Sequence, residues 1–133
     1  MRTAVDTSVL LDVITEDPGF ADRSEAALRK ATAAGSLCIC ECVMAELRPA
    51  LAADVLDELL ADWGIDFAQS TRQSAMLAGE MFGAYLQRRR RSRPRVVADF
   101  LIGAHAFVHA DRLLARDRGY YRDYFAGLVL MEP

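Results

Sequence analysis

Long apolar runs, lysine and paired cysteines are all scarce in this sequence, and each shortage excludes a class of protein. No apolar run approaches the ~20 residues that a membrane-spanning helix needs. The first acid, Asp6, arrives before a secretory signal could build its apolar stretch, so the expected location is cytoplasmic, with no membrane partner. The only cysteines are Cys38, Cys40 and Cys42. An odd number at alternate positions makes no disulfide framework. If Cys38 and Cys40 lie in a strand, their side chains share one face. A zinc site would need four ligands and no histidine is near in sequence, so the thiols are expected to be reduced and buried as small hydrophobes. Lys30 is the sole lysine and falls in the second predicted helix. Phosphoryl transfer on an aspartate, as in receiver domains or haloacid dehalogenase-like phosphatases, requires a lysine late in the chain. The stretch Asp6-Thr7-Ser8 also lacks the second aspartate of the phosphatase motif. His105 and His109 share a helical face but lack the glutamate of His-Glu-x-x-His, which makes them packing or surface residues.

What is present describes a folded protein. Of 133 residues, 53% are apolar and 26% charged, a balance that can bury one proper core. With no internal repeat and no linker, one domain over residues 1–133 is expected. The net charge of −3 argues weakly against a nucleic-acid partner. Its distribution argues the other way, because Arg88, Arg89, Arg90, Arg91, Arg93 and Arg95 form one dense basic stretch, and local clustering sets the field a polyanion meets. That stretch reads as an RNA-phosphate contact, a partner-protein contact or a solvated helix end.

Along the chain, strands alternate with helices. Arg2 to Val5 is a strand closed by Asp6, after which Thr7 is expected to cap a helix carrying Val9, Leu10, Val13 and Ile14. Asp17-Pro18-Gly19 is a turn, and an Ala-rich helix runs from Ala21 to Ala34 and stops at Gly35. Leu37 to Cys40 is a second strand, followed by a short helix from Glu41 to Leu47 that Arg48-Pro49 ends. A helix over Ala50 to Asp62 with Leu51, Val55, Leu59 and Leu60 inward leads, past Gly64, to a third strand over Ile65 to Ala68. A long helix from Thr71 to about Arg90 has Ala75, Ala78, Phe82, Tyr85 and Leu86 on its apolar face. After a loop at Ser92-Arg93-Pro94 come an apolar helix from Val96 to His109, a strand over Arg112 to Ala115, a helical turn at Tyr120 to Phe125 and a last strand at Leu128 to Met131. Trp63, Phe82, Phe100 and Phe107 are expected in the core. Tyr120, Tyr121 and Tyr124 can stack on bases, with core or rim packing preferred. The class is α/β: a central parallel sheet of four to five strands in a three-layer α/β/α arrangement.

Four acids stand beside these apolar segments. Asp6 follows the first strand, Glu46 sits in Val43-Met44-Ala45-Glu46-Leu47, Asp99 lies early in an almost wholly apolar helix, and Asp117 ends Leu113-Leu114-Ala115-Arg116-Asp117. An unpaired buried carboxylate is costly. Several together are most simply tolerated by sharing a divalent cation. In a parallel sheet, ligands sit beyond the carboxyl ends of the strands, which is where Asp6 and Asp117 fall. Read singly, each acid has a plainer role: Asp6 and Asp117 as turn residues, Asp99 as a first-turn acid favoured by the helix dipole, Glu46 as a solvated helix residue. Glu41 competes with Glu46, but it looks like a first-turn acid, whereas Glu46 lies deeper in its helix.

These four segments, in this order and context from Val5 to Pro133, resemble the PIN domain. The stretch Ala115-Arg116-Asp117-Arg118-Gly119-Tyr120-Tyr121 looks like the VapC-type toxins of bacterial toxin–antitoxin pairs. The resemblance implies a single PIN-like domain with metal-dependent endoribonuclease activity. It also implies inhibition by a cognate antitoxin that inserts a segment into the acidic groove, a homodimer, and RNA products with 5′-phosphate and 3′-hydroxyl ends. Asp6, Glu46, Asp99 and Asp117 would be the catalytic residues and would bind Mg²⁺ or Mn²⁺. Asp6, Asp99 and Glu46 would be the main ligands, and Asp117 would hold a second ion or orient the water. Ser8 would hydrogen-bond one of these acids. Arg116 and Arg118, flanking Asp117, and Arg88, Arg89, Arg90 and Arg91 are candidates for RNA binding. One position departs from the pattern: Ala115 stands where the family often has a hydroxyl residue, removing a hydrogen bond behind the metal ligands. The alternative is a catalytically weak or inactive PIN-like module that binds RNA or protein.

Overall fold

The computed structural model describes residues 1–88, 97–116 and 120–133. In chain order the elements are β1 (Arg2–Val5), α1 (Thr7–Ile14), α2 (Ala21–Ala34), β2 (Ser36–Ile39), α3 (Glu41–Leu47), α4 (Ala53–Trp63), β3 (Ile65–Phe67), α5 (Arg72–Arg88), α6 (Val97–His109), β4 (Arg112–Leu114), α7 (Tyr120–Tyr124) and β5 (Leu130–Met131). The five strands form one sheet in the order β3-β2-β1-β4-β5. Every pairing is parallel, with Ala4 opposite Cys38 on one side and Leu113 on the other. This is the expected α/β class, a parallel sheet flanked by helices. Consecutive buried residues in β1 (Thr3, Ala4, Val5) and β2 (Leu37, Cys38, Ile39) are what a sheet covered on both faces requires. Helices α1 and α2 pack together, α5 and α6 pack together, and α3 touches both α1 and α6. Among the described residues, no helix is long and apolar enough to cross a membrane.

Several local expectations are corrected. The cap of α1 is Asp6, whose Oδ2 accepts the Ser8 N–H at 3.2 Å. Thr7 is free of that duty because a carboxylate one residue earlier reaches the same donor. The helix expected over Ala50 to Asp62 splits: Arg48–Ala50 is a tight 3₁₀ turn favoured by Pro49, and α4 starts at Ala53. Its stripe then centres on Leu56 and Leu60, which turns Val55 outward at 44% exposed. In α5 the buried stripe is Ser74, Ala78 and Tyr85, rotated from the expected one, so Ala75 and Leu86 face out. The aromatic cluster sets that rotation, since Phe82 and Tyr85 both pack on Phe100, with ring centroids 5.2 and 5.4 Å away. Phe107, expected in the core, is 44% exposed on α6. Gly35 is fixed by close approach: a Cβ there would overlap the Met1 carbonyl oxygen, which accepts the Ser36 N–H at 3.0 Å. The loop at Ser92-Arg93-Pro94 and the helix start at Val96 lie outside the described residues.

Strand order reverses around β1: the chain first builds outward through β2 and β3, then returns to β4 and β5. The crevice beyond the carboxyl ends of β1 and β4 is where such sheets bind ligands.

Candidate active site

Asp6 leaves β1 at that crevice. Its backbone N–H bonds to the Leu114 carbonyl at 2.9 Å, tying the turn to β4. The side chain is 9% exposed, and both carboxylate oxygens are engaged. Oδ2 accepts from the Ser8 hydroxyl at 2.5 Å as well as from the Ser8 amide, and Oδ1 accepts from the Tyr121 hydroxyl at 3.0 Å. Three donors on one carboxylate fix its direction, and Ser8 supplies two of them.

Glu46 approaches from α3. Its Oε1 accepts the Thr7 hydroxyl at 2.8 Å, which fastens α3 to the start of α1. Partial burial raises the Glu46 pKa first, and the negative charges of Asp6 and Asp99 add to it, against the opposing Thr7 hydrogen bond. Asp99, half-buried in the first turn of α6, therefore shares a field with Asp6 and Glu46. The Tyr121 phenol feels the same field: burial raises its pKa, and Asp6 and Asp99 raise it further. Acids that stand 93 positions apart in the chain, Asp6 and Asp99, thus both act on the Glu46 carboxyl and the Tyr121 phenol.

The remaining expected site residues divide. Asp117, Arg118, Arg89, Arg90 and Arg91 lie outside the described residues. Arg88 ends α5, exposed, with its guanidinium 5.5 Å from the Tyr124 ring centroid. Arg116 turns toward α1, where its Nη2 donates to Asp12 Oδ1 at 2.8 Å while its guanidinium lies 4.2 Å over Phe20. Asp12 is 2% exposed and also accepts from the Ser24 hydroxyl at 2.7 Å. Arg116 is thus anchored by a buried partner immediately before position 117. Ala115 is fully buried, its N–H bonded to the Met131 carbonyl at 3.0 Å, with no room spent on a hydroxyl. Glu41, the rejected competitor, points elsewhere and accepts the Ser70 N–H at 2.8 Å.

Three contributors to the site were missed in the sequence: Thr7, Tyr121 and Asp12. Asp12 carried a usable signal, an acid at i+3 from Val9 on an otherwise apolar helix. Thr7 and Tyr121 carried none, because their partners lie 39 and 115 positions away.

The donor set suits a hard cation. Asp6, Glu46 and Asp99 offer only carboxylate oxygens, and the repulsion from Asp6 and Asp99 that adds to burial in raising Glu46 is what a bound cation would relieve. Among the described residues, the ligand atoms that lie within 4.8 Å of one another are those of Cys40, Glu41 and Cys42, and Asp6, Glu46 and Asp99 form no such group.

A parallel α/β domain with an acid, Asp6, at the end of its central strand, whose charge acts with that of Asp99 on Glu46, defines the class of protein. This chain belongs to the PIN domain family, which matches it over residues 3–125. No curated protein matches it in sequence. Solved structures share its fold. VapBC2 from Rickettsia felis, bound to a DNA fragment from their promoter, has a TM-score of 0.72 at 17% identity, covering 99% of this chain and 98% of that one. FitAcB from Neisseria gonorrhoeae has a TM-score of 0.67 at 19% identity, covering 97% and 96%. DNA-bound VapBC from Salmonella typhimurium has a TM-score of 0.63 at 15% identity, covering 99% and 98%.

Proposed function

We propose that this chain is a single PIN-like domain acting as a Mg²⁺- or Mn²⁺-dependent endoribonuclease, the toxin of a toxin–antitoxin pair. The observation that carries this reading is that the charges of Asp6, just past β1, and Asp99 on α6 both act on Glu46 on α3. Family membership supports nuclease chemistry, and the fold shared with VapBC and FitAcB proteins supports an antitoxin as partner. In this reading Asp6, Glu46 and Asp99, joined by Asp117, would hold the metal, which would supply Lewis acidity for the attacking water and positive charge toward the phosphate. The protein's own residues do the positioning. Ser8 and Tyr121 hold the Asp6 carboxylate in one direction, and Thr7 holds Glu46 toward it. Arg88 to Arg91, Arg116 and Arg118 are the candidates for RNA contact, Arg116 through whatever its pairing with Asp12 leaves free. The protein works as a cytoplasmic homodimer that its antitoxin inhibits.

The test is paired. Mn²⁺ raises the melting temperature by binding the native state, and Asp6→Asn abolishes both that shift and cleavage of RNA. A wild-type chain that shows no metal shift and cuts no RNA with either ion is instead a PIN-like binding module.

A further inference from the structure

Helix α1 turns Val9 and Leu10 into the core and buries one carboxylate, Asp12, alongside them. Asp12 Oδ1 accepts from Arg116 Nη2 at 2.8 Å, and Oδ2 accepts from the Ser24 hydroxyl at 2.7 Å. Ser24 is itself fully buried on α2. The Arg116 guanidinium also lies 4.2 Å from the centroid of the Phe20 ring. Helix α1, helix α2 and the chain leaving β4 therefore meet at one carboxylate.

Stability alone gives no reason for this arrangement. Removing two charges from water costs about as much as their attraction returns, and apolar residues of similar volume often hold a fold as well or better. What an ion pair adds is a single register, since only one placement of the two elements satisfies both charges. The place of this pair shows what that register fixes. Helix α1 starts at its cap, Asp6, whose backbone N–H bonds to the Leu114 carbonyl at 2.9 Å. Two residues beyond Leu114, Arg116 reaches the same helix again at Asp12. The six residues from Asp6 to Asp12 span ~9 Å of helix axis. One tie would leave α1 free to swing about it, whereas two ties that far apart set its direction against β4. Ala115, between the two ties, is held in turn by its N–H bond to the Met131 carbonyl at 3.0 Å.

We propose that Asp12 and Arg116 are positioning residues of the carboxylate site. Their pair locks α1 against the end of β4, and the lock fixes the turn from which the Asp6 carboxylate projects. Ser24 holds the second oxygen of Asp12, and the Phe20 ring holds the guanidinium, so neither partner is free to rotate away. The consequence for metal binding rests on the nuclease reading; the lock on the Asp6 turn does not.

The experiment replaces the pair by apolar residues, Asp12→Leu together with Arg116→Met, so that no unpaired charge stays buried. The double variant is expected to fold, as urea unfolding would show, but with a loosened site. Calorimetry should find Mn²⁺ affinity ~10–100-fold weaker, the loss typical of groups that orient ligands. In the metal-free chain, amide hydrogen exchange at Asp6, Ser8 and Ala115 should quicken while the rest of the sheet keeps its wild-type rates. Wild-type Mn²⁺ affinity in the folded double variant, or unchanged exchange at those three amides, overturns the proposal and leaves the pair as packing. Should the wild type itself bind no Mn²⁺, the nuclease reading fails, and the exchange rates alone decide the lock. Should the double variant not fold, Asp12→Asn, which keeps the shape and removes the charge, is read in the same two ways, and wild-type values overturn the lock.

Discussion

Arg116→Ala tests whether the arginine before position 117 is an anchor or a nucleic-acid contact. The Asp12 side chain is 3% exposed and accepts from two donors, Arg116 at 2.8 Å and Ser24 at 2.7 Å. Deleting the guanidinium leaves a buried carboxylate with one neutral donor. Breaking a buried pair costs ~3–5 kcal/mol. The Arg116 side chain is 31% exposed, so water can follow into the vacated space and the lower end applies, about 3 kcal/mol. For a domain of this size that is roughly 10 °C in melting temperature. Urea unfolding of wild type, Arg116→Ala, Asp12→Ala and the double variant gives the coupling. The double variant is expected to be less damaged than the sum of the singles by more than ~1 kcal/mol. A surface arginine serving only phosphate would change stability by under ~0.5 kcal/mol and lower the salt slope of RNA binding by ~1. That pattern, with zero coupling to Asp12, would refute the anchor.

Tyr121→Phe removes the donor to Asp6 Oδ1. Mn²⁺ affinity by calorimetry should fall ~10–100-fold, as for other groups that orient ligands, while the fold persists. Gly103→Ala drives a Cβ to 2.5 Å from Phe125 Cε2, a ring buried at 3% exposed, so thermal unfolding should report a loss of ~1–3 kcal/mol. His105 has its pKa lowered, first by burial and then by the neighbouring His109. The unfolded chain therefore binds its proton more readily, and stability contributed by the neutral imidazole is lost as pH falls below the ordinary value of 6.5. Stability curves from pH 7.5 downward should show that slope, and His105→Gln should flatten it.

The elements were legible because their signals are local. Apolar runs of strand length alternating with amphipathic stretches define an α/β domain, and Gly35 and Gly64 mark the ends of α2 and α4 where only a residue without a side chain fits easily. The bond from Ser8 to an acid was legible too, since Asp6 lies two residues away, whereas the cap itself was misassigned to Thr7. Helix faces were less so: Val55, Ala75 and Leu86 obey helical periodicity but face outward, because the neighbouring rings and strands decide the rotation of a helix about its axis.

Taken alone, the sequence determined the strand–helix alternation, the acid at the end of β1 and the absence of a span or disulfide framework, all consequences of short-range periodicity and composition. The tertiary structure decided which distant groups meet. Thr7 meets Glu46, Tyr121 meets Asp6, and Arg116 meets Asp12. Those meetings depend on strand order and helix packing, which place residues a hundred positions apart within a hydrogen bond's length and which no local pattern encodes.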